Sequence, residues 1–187
     1  MTLANFITFS RIFLIIPVIY FTSLEKVEFN FLALMCFLVA GLTDYLDGYV
    51  ARKTNSESSL GALLDLLADK LLVCLTLVWL ITLNNSLIFV IPVLIIVLRE
   101  LSISSIRQYI VEIGGINNLK VSYVGKSKTT IQFIAISLAI IAPGLGVYLS
   151  ILSITFLWLA SLISIISLYK YLVTWNKFFN KGQTKTD

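Results

Sequence analysis

The sequence contains no histidine, and charged residues make up only 13% of its 187 positions. Without an imidazole group, histidine-based catalysis is excluded, and so is most zinc chemistry. Cysteine is scarce as well: Cys36 and Cys74 both lie in apolar runs, where a thiol is usually a small buried hydrophobe and not part of a disulfide or metal site. Chemistry in this chain therefore depends on carboxylates, amines, guanidinium groups and hydroxyls.

Apolar residues take the place of the missing charge, since 58% of the chain is hydrophobic and the mean hydropathy is +0.96. A soluble domain with a solvated surface does not show such values, so the sequence predicts an all-α integral membrane protein. Short polar connections favour a single domain over residues 1–187, with a flexible basic tail from about residue 177 to 187. Six apolar stretches predict six transmembrane helices: 12–24, 29–43, 71–83, 87–98, 130–142 and 147–169.

The positions of the basic residues predict the orientation. If the amino terminus is cytoplasmic, Lys26 is the only one of the 14 lysines and arginines that falls on the outer side. Such a bias is typical of the positive-inside rule, so both termini are expected in the cytoplasm, and the net charge of +4 does not indicate nucleic-acid binding. The first stretch has no basic residue before Arg11 and no cleavage site after Leu24, which predicts a retained helix and not a signal peptide. We expect an integral protein of a bacterial cytoplasmic (inner) membrane.

The segment from Asp44 to Asp69 concentrates the acidic residues in the pattern D-x2-D-G-x2-A-R-x8-G-x3-D-x3-D. A membrane span needs about 20 residues, and the apolar runs on either side are shorter than that. Both helices must therefore continue through the acidic residues, which places Asp44 and Asp47 at the cytoplasmic end of the second helix and Asp65 and Asp69 in the first turns of the third. The spacings i,i+3 and i,i+4 put each pair on one helix face.

Four converging carboxylates would repel one another unless cations neutralised them. The small residues Gly48, Ala51, Gly61 and Ala62 allow the helix backbones to approach closely. A ligand set of oxygens alone suits magnesium or manganese, and paired divalent ions most often act on phosphate oxygens. Either acidic pair alone would more often be solvated loop charge, but two pairs that face one connection favour phosphoryl chemistry at the cytosolic membrane surface.

The acidic segment resembles, position for position, the signature of the CDP-alcohol phosphatidyltransferases, which are integral enzymes with six membrane helices. In that family an alcohol attacks the β-phosphoryl group of a CDP-linked lipid, and CMP leaves. The resemblance implies that Asp44, Asp47 and Asp65 bind metal, and that Asp69 binds a second metal ion and acts as the base. The matching residues are Asp44, Asp47, Gly48, Ala51, Arg52, Gly61, Asp65 and Asp69.

A second pattern precedes the first apolar run, where Asn5, Thr8 and Arg11 recur every three residues. It is compatible with an interfacial helix start in which Arg11 reaches toward the membrane surface. In the family, a similar N-x2-T-x2-R pattern helps to hold the cytidine nucleotide. The CDP-lipid site implied by the resemblance comprises Asn5, Thr8, Arg11, Gly48, Ala51, Arg52 and Gly61.

A basic cluster, R-E-x6-R followed by G-K-x-K-T, predicts the acceptor. Arg99, Arg107, Lys126 and Lys128 exceed what a neutral alcohol needs and indicate an anionic acceptor, such as a phosphate. Attraction to anionic lipid would explain basic residues at the membrane surface, but it explains arginines inside a required span less well. The cluster resembles the phosphatidylglycerophosphate synthase branch, whose acceptor is sn-glycerol 3-phosphate. That resemblance assigns the four cations to the acceptor phosphate. We expect Glu100 to orient these cations and not to react.

The sequence therefore predicts an enzyme that makes phosphatidylglycerophosphate and CMP from CDP-diacylglycerol and glycerol 3-phosphate. We expect it to use two Mg²⁺ or Mn²⁺ ions and to form a homodimer. Within the family, the acceptor could instead be phosphatidylglycerol, which would give cardiolipin, or inositol phosphate. A cation-coupled transporter is an alternative from another class, because intramembrane aspartates also line ion paths. Inverted repeats or charges at the midplane would favour transport, and the sequence shows neither.

Overall fold

The computed structural model describes the backbone of residues 3–54, 59–112 and 123–183, and the side chains of 10–43, 64, 66–109 and 128–173. Within these ranges the chain forms six α-helices, which confirms the predicted all-α class and the number of helices. In chain order they are α1 (Leu3–Ser23), α2 (Val27–Thr54), α3 (Ser59–Leu83), α4 (Leu87–Glu112), α5 (Tyr123–Ile141) and α6 (Val147–Gln183).

The helices extend beyond their apolar runs, as the sequence analysis predicts from the length of a span. The backbone of α2 is helical past Asp44 and Asp47 as far as Thr54, and α3 begins at Ser59, before Asp65 and Asp69. A residue adds only about 1.5 Å to a helix, so the apolar runs alone would fall short of a bilayer about 30 Å thick. At the other end of the chain, α6 is helical to Gln183 and so includes the first part of the segment predicted to be a flexible tail.

Among the residues whose side chains are described, three segments are long and apolar enough to cross a membrane: Leu66–Leu83, Leu87–Tyr109 and Val147–Val173. The described parts of α1, α2 and α5 contain shorter apolar helices, Ser10–Ser23, Val27–Thr43 and Lys128–Ile141. Large apolar side chains such as Ile88 and Leu98 remain exposed on the bundle surface, which suits contact with lipid. These observations indicate a membrane protein.

The bundle has one core to which every helix contributes. Helix α1 packs against α2 and α3, and α6 packs against α4 and α5, while contacts of α2 with α5 and of α3 with α4 join the two halves. The fully buried apolar side chains come from all six helices: Val18, Phe37, Leu77, Ile96, Ile136 and Leu157.

Hydrogen bonds hold the helices together at the end of the bundle that lies opposite the aspartates. The indole Nε1 of Trp79 donates to Thr22 Oγ1 at 2.8 Å, and Nε1 of Trp158 donates to the carbonyl oxygen of Ile88 at 3.0 Å. Asn30 Nδ2 donates to the carbonyl oxygen of Pro143, at 3.1 Å, in the turn between α5 and α6. Polar side chains thus bind this end of the bundle together.

Gly41 allows α2 to approach α5 closely. The ring of Phe133 lies against the glycine and stacks on Phe37, with 4.5 Å between ring centroids, and a Cβ atom at position 41 would overlap that ring. We expect Gly41→Ala to lower the free energy of unfolding by about 1–3 kcal/mol, because the methyl group displaces Phe133 from its stack. The thermal unfolding midpoint in detergent measures this loss.

The double variant Gly41→Ala/Phe133→Leu is the control for this explanation. A shorter side chain at position 133 makes room for the methyl group, so the double variant should be more stable than the sum of the two single changes predicts. An unchanged midpoint for Gly41→Ala would show that the contact between α2 and α5 does not limit the stability of the bundle.

Candidate active site

A cavity of about 530 Å³ lies between the first five helices. One part of its wall is apolar and comes from α2, α3 and α5, including Leu38, Leu42, Leu72 and Phe133. The other part carries charged side chains from α1, α3, α4 and α5: Arg11, Asp69, Lys70, Glu100 and Lys128. The cavity is therefore amphipathic: two carboxylates and three cations line one part of it, and apolar side chains line another part.

The helix directions explain why charges so distant in sequence meet here. Arg11, Asp69 and Lys128 lie in the amino-terminal halves of α1, α3 and α5, whereas Glu100 lies in the carboxyl-terminal half of α4. Short connections between the helices make neighbours antiparallel, which brings these halves to the same end of the bundle.

Glu100 is the centre of a buried ionic cluster. Its Oε2 accepts a hydrogen bond from Lys70 Nζ at 3.2 Å, and its Oε1 accepts one from Arg99 Nη1 at 3.2 Å and pairs with Lys128 Nζ. The side chain of Lys128 is only 1% exposed, and that of Glu100 is 10% exposed. Three cations from α3, α4 and α5 thus share one carboxylate, and the cluster favours a further anion because buried charge is costly when it is not neutralised.

Arg99 and Glu100 are neighbours in sequence but contact different helices. Successive residues of an α-helix point about 100° apart, so Glu100 faces α3 and α5 while the guanidinium of Arg99 also reaches α6. There Nη2 donates to Ser167 Oγ at 2.7 Å. Arg99 is not among the described residues that line the cavity. It contacts Glu100, which does line the cavity.

The four cations predicted for the acceptor phosphate therefore occupy different positions. Lys128 lines the cavity, and Arg99 contacts the same carboxylate as Lys128. Arg107, two turns further along α4, is exposed. Lys126 lies in the first turn of α5, and its side chain is outside the described residues.

Arg11 is the member of the predicted CDP-lipid site whose side chain is described. It is fully buried and lines the cavity, so its side chain does not extend from the surface of the bundle. The backbones of the other six lie in α1, α2 and α3, and their side chains are outside the described residues: Asn5, Thr8, Gly48, Ala51, Arg52 and Gly61. Their predicted roles stay predictions.

The predicted metal ligands are four aspartates, of which the side chain of Asp69 is described and lines the cavity. Asp44, Asp47 and Asp65 have described helical backbones, and their side chains are outside the described residues. Among the described side chains no group of three or more potential ligands comes together. The donor set consists of carboxylate oxygens alone, so these residues fit a hard divalent cation such as Mg²⁺ or Mn²⁺.

Lys70 is a cavity residue that the sequence analysis did not assign. It directly follows Asp69 and contacts Glu100. Its position in the sequence could have identified it, because a lysine inside an apolar segment that crosses a membrane needs a partner or a function. The sequence prediction uses Lys70 only as one of the basic residues on the cytoplasmic side.

Comparisons with known proteins agree with the geometry. A family model described as CDP-alcohol phosphatidyltransferase matches residues 1–166, which include the aspartate segment and the cluster around Glu100. Three bacterial relatives are named CDP-diacylglycerol–glycerol-3-phosphate 3-phosphatidyltransferase. The protein from Wigglesworthia glossinidia brevipalpis is 37% identical over 180 residues, which cover 94% of this chain and 97% of the relative. The protein from Haemophilus influenzae is 34% identical over 89% of this chain and 89% of the relative. The protein from Rickettsia felis is 34% identical over 95% of this chain and 97% of the relative. The chain therefore belongs to the CDP-alcohol phosphatidyltransferase family.

Proposed function

We propose that the protein transfers the phosphatidyl group from CDP-diacylglycerol to sn-glycerol 3-phosphate, giving phosphatidylglycerophosphate and CMP. The observation that carries this proposal is the cavity in which Asp69 lies beside the cations held by Glu100. A carboxylate that accepts a proton and cations that bind a phosphate are the groups that this reaction requires. The names of the relatives support the same pair of substrates.

The amphipathic cavity suits the donor. Leu42 and Ile134 line the cavity and are also exposed on the bundle surface, so the cavity reaches the surface that lipid would cover. The acyl chains of the donor then lie along the apolar wall, and its diphosphate lies toward Arg11. A guanidinium group binds phosphate oxygens with paired, charge-assisted hydrogen bonds.

The residues of the chain would carry out the transfer by positioning the acceptor and moving one proton. The acceptor hydroxyl attacks the phosphorus atom that carries the diacylglycerol, a new P–O bond forms, and the bond to the bridging oxygen breaks so that CMP leaves. Asp69 takes the proton of the attacking hydroxyl. Lys128 holds the acceptor phosphate, and Glu100 fixes the direction of Lys128.

Two Mg²⁺ or Mn²⁺ ions are part of this proposal. Asp44, Asp47, Asp65 and Asp69 would hold them. Bound divalent ions supply stabilisation for the negative charge that develops on the attacking and leaving oxygens.

We further propose that all six helices cross a bacterial cytoplasmic membrane, with both termini and the site on the cytosolic side. The basic residues support this orientation, because Lys26 alone falls at the opposite end. Helix α6 has 37 residues and is about 55 Å long, more than a span needs, so its carboxyl-terminal part would extend into the cytosol. Exposed apolar helix faces leave room for a homodimer in the bilayer.

The proposed reaction is tested with purified protein in mixed micelles of detergent and CDP-diacylglycerol. Labelled glycerol 3-phosphate, phosphatidylglycerol and inositol phosphate are offered as separate acceptors, with and without a chelator. We expect CMP release and labelled lipid with glycerol 3-phosphate, loss of both with the chelator, and recovery when Mg²⁺ or Mn²⁺ is added in excess.

The metal ions, the acceptor and the reaction itself can each be contradicted by a different result of this assay. Full activity in the presence of the chelator would remove the metal ions from the proposal. Labelled product from phosphatidylglycerol or inositol phosphate, but not from glycerol 3-phosphate, would replace the acceptor. Release of CMP with none of the three acceptors would overturn the proposed function.

A further inference from the structure

We infer that Lys70 binds the phosphate group of the acceptor, and that Glu100 holds it in position to do so; the inference rests on the proposed function. Lys70 lies on α3 directly after Asp69 and lines the same cavity. Its Nζ is 3.2 Å from Glu100 Oε2, and its side chain is 18% exposed, so the ammonium group is fixed but still accessible from the cavity.

The two lysines of the cluster are arranged as a pair around one carboxylate. Lys70 contacts Oε2 of Glu100 and Lys128 pairs with Oε1, and both lysines line the cavity. A protonated amine has three N–H donors, so each lysine keeps donors for a second acceptor after its contact with Glu100. A phosphate monoester carries up to two negative charges and several acceptor oxygens, which matches two ammonium groups held side by side.

The position of Lys70 beside Asp69 connects phosphate binding with the reaction. The hydroxyl that attacks must lie at Asp69, and in a small polyol phosphate the phosphate is only a few bonds from that hydroxyl. A cation on the next residue of the same helix is therefore suited to bind that phosphate while the hydroxyl faces Asp69. Through this contact, Lys70 would select phosphorylated polyols over neutral ones.

A purely structural role is the competing explanation, since the pair of Lys70 and Glu100 also joins α3 to α4. The two explanations differ in what the loss of Lys70 changes. A structural pair affects stability and impairs both substrates together, whereas a phosphate-binding lysine affects the acceptor alone.

The test compares Lys70→Gln and Lys70→Arg with the wild type and with the control Lys26→Gln, which removes an exposed lysine at the opposite end of the bundle. CMP release is measured against glycerol 3-phosphate at saturating CDP-diacylglycerol, and then with the two substrates exchanged. We expect Lys70→Gln to raise the acceptor KM by about tenfold to a hundredfold, with the donor KM changed by less than about twofold. Lys70→Arg should raise the acceptor KM by about two- to fivefold, since a planar guanidinium meets the phosphate with different geometry.

Phosphate binding is measured separately from turnover, through the rise of the unfolding midpoint that inorganic phosphate causes. We expect this rise in the wild type and in Lys26→Gln, and its loss in Lys70→Gln.

If Lys70→Gln does not fold, Lys70→Arg decides through its acceptor KM and its response to phosphate. Wild-type values of both quantities in the folded Lys70 variants, or equal losses for donor and acceptor, would overturn the inference. A wild type that responds to phosphate through Lys70 but releases no CMP would instead overturn the proposed function, and Lys70 would remain a phosphate-binding residue without an assigned acceptor.

Discussion

Asp69→Asn should abolish turnover and leave the bundle folded. The carboxylate of Asp69 is exposed to the cavity, and asparagine has nearly the same shape, so the packing of α3 is preserved. An amide does not accept the proton of the attacking hydroxyl, and the loss of a general base alone lowers a rate by about 10²–10⁴-fold. Removal of a proposed metal ligand adds to that loss, so we expect kcat to fall by at least about 10³-fold.

The measurement is CMP release from CDP-diacylglycerol with saturating glycerol 3-phosphate, together with circular dichroism and the thermal unfolding midpoint. Glu28→Gln is the matched control, because Glu28 is an exposed acidic residue in the first turn of α2, at the end of the bundle away from the cavity. It should keep the wild-type rate. A folded Asp69→Asn protein with near-normal kcat would show that Asp69 is neither the base nor an essential ligand.

The sequence predicted the helices and their order along the chain because both follow from local physics. A polypeptide in lipid must satisfy its backbone hydrogen bonds internally, so an apolar run becomes a helix. The length of a span then required α2 to continue past Asp47 and α3 to begin before Asp65, as the structure shows. The same length argument applies to α4, because the apolar run 87–98 is too short for a span, and the helix includes Arg99 and Glu100.

The contacts around Glu100 could not be predicted in the same way, because they depend on how each helix is rotated about its axis. A soluble helix reveals its buried face through an apolar stripe, but a membrane helix is apolar on its lipid side as well as its core side. The pattern of α4 therefore did not show that Glu100 faces Lys70 and Lys128 while Arg99 reaches Ser167. Lys70 was missed for the same reason, since its partner lies on another helix.

Glu100→Gln should destabilise the bundle more than Gly41→Ala does. Glutamine has almost the same size, so the change removes charge without creating a cavity. Lys70, Arg99 and Lys128 would then repel one another at positions where little water reaches them. Removing one member of a buried ionic cluster typically costs about 3–5 kcal/mol, and we expect a loss of that order in the free energy of unfolding in detergent.

The double variant Glu100→Gln/Lys128→Met tests whether the loss arises from charge. Lys128 is the most buried of the three cations, so its removal from the glutamine variant relieves much of the repulsion and lets methionine fill the space. The double variant should therefore be more stable than Glu100→Gln alone by about 1–3 kcal/mol, whereas Lys128→Met in the wild-type background should be destabilising because it leaves Glu100 with one partner fewer. Glu25→Gln, at an exposed position, is the control and should leave the unfolding midpoint unchanged. If the two changes instead add to each other, the stability of this region comes from packing and not from the charge balance that Glu100 maintains.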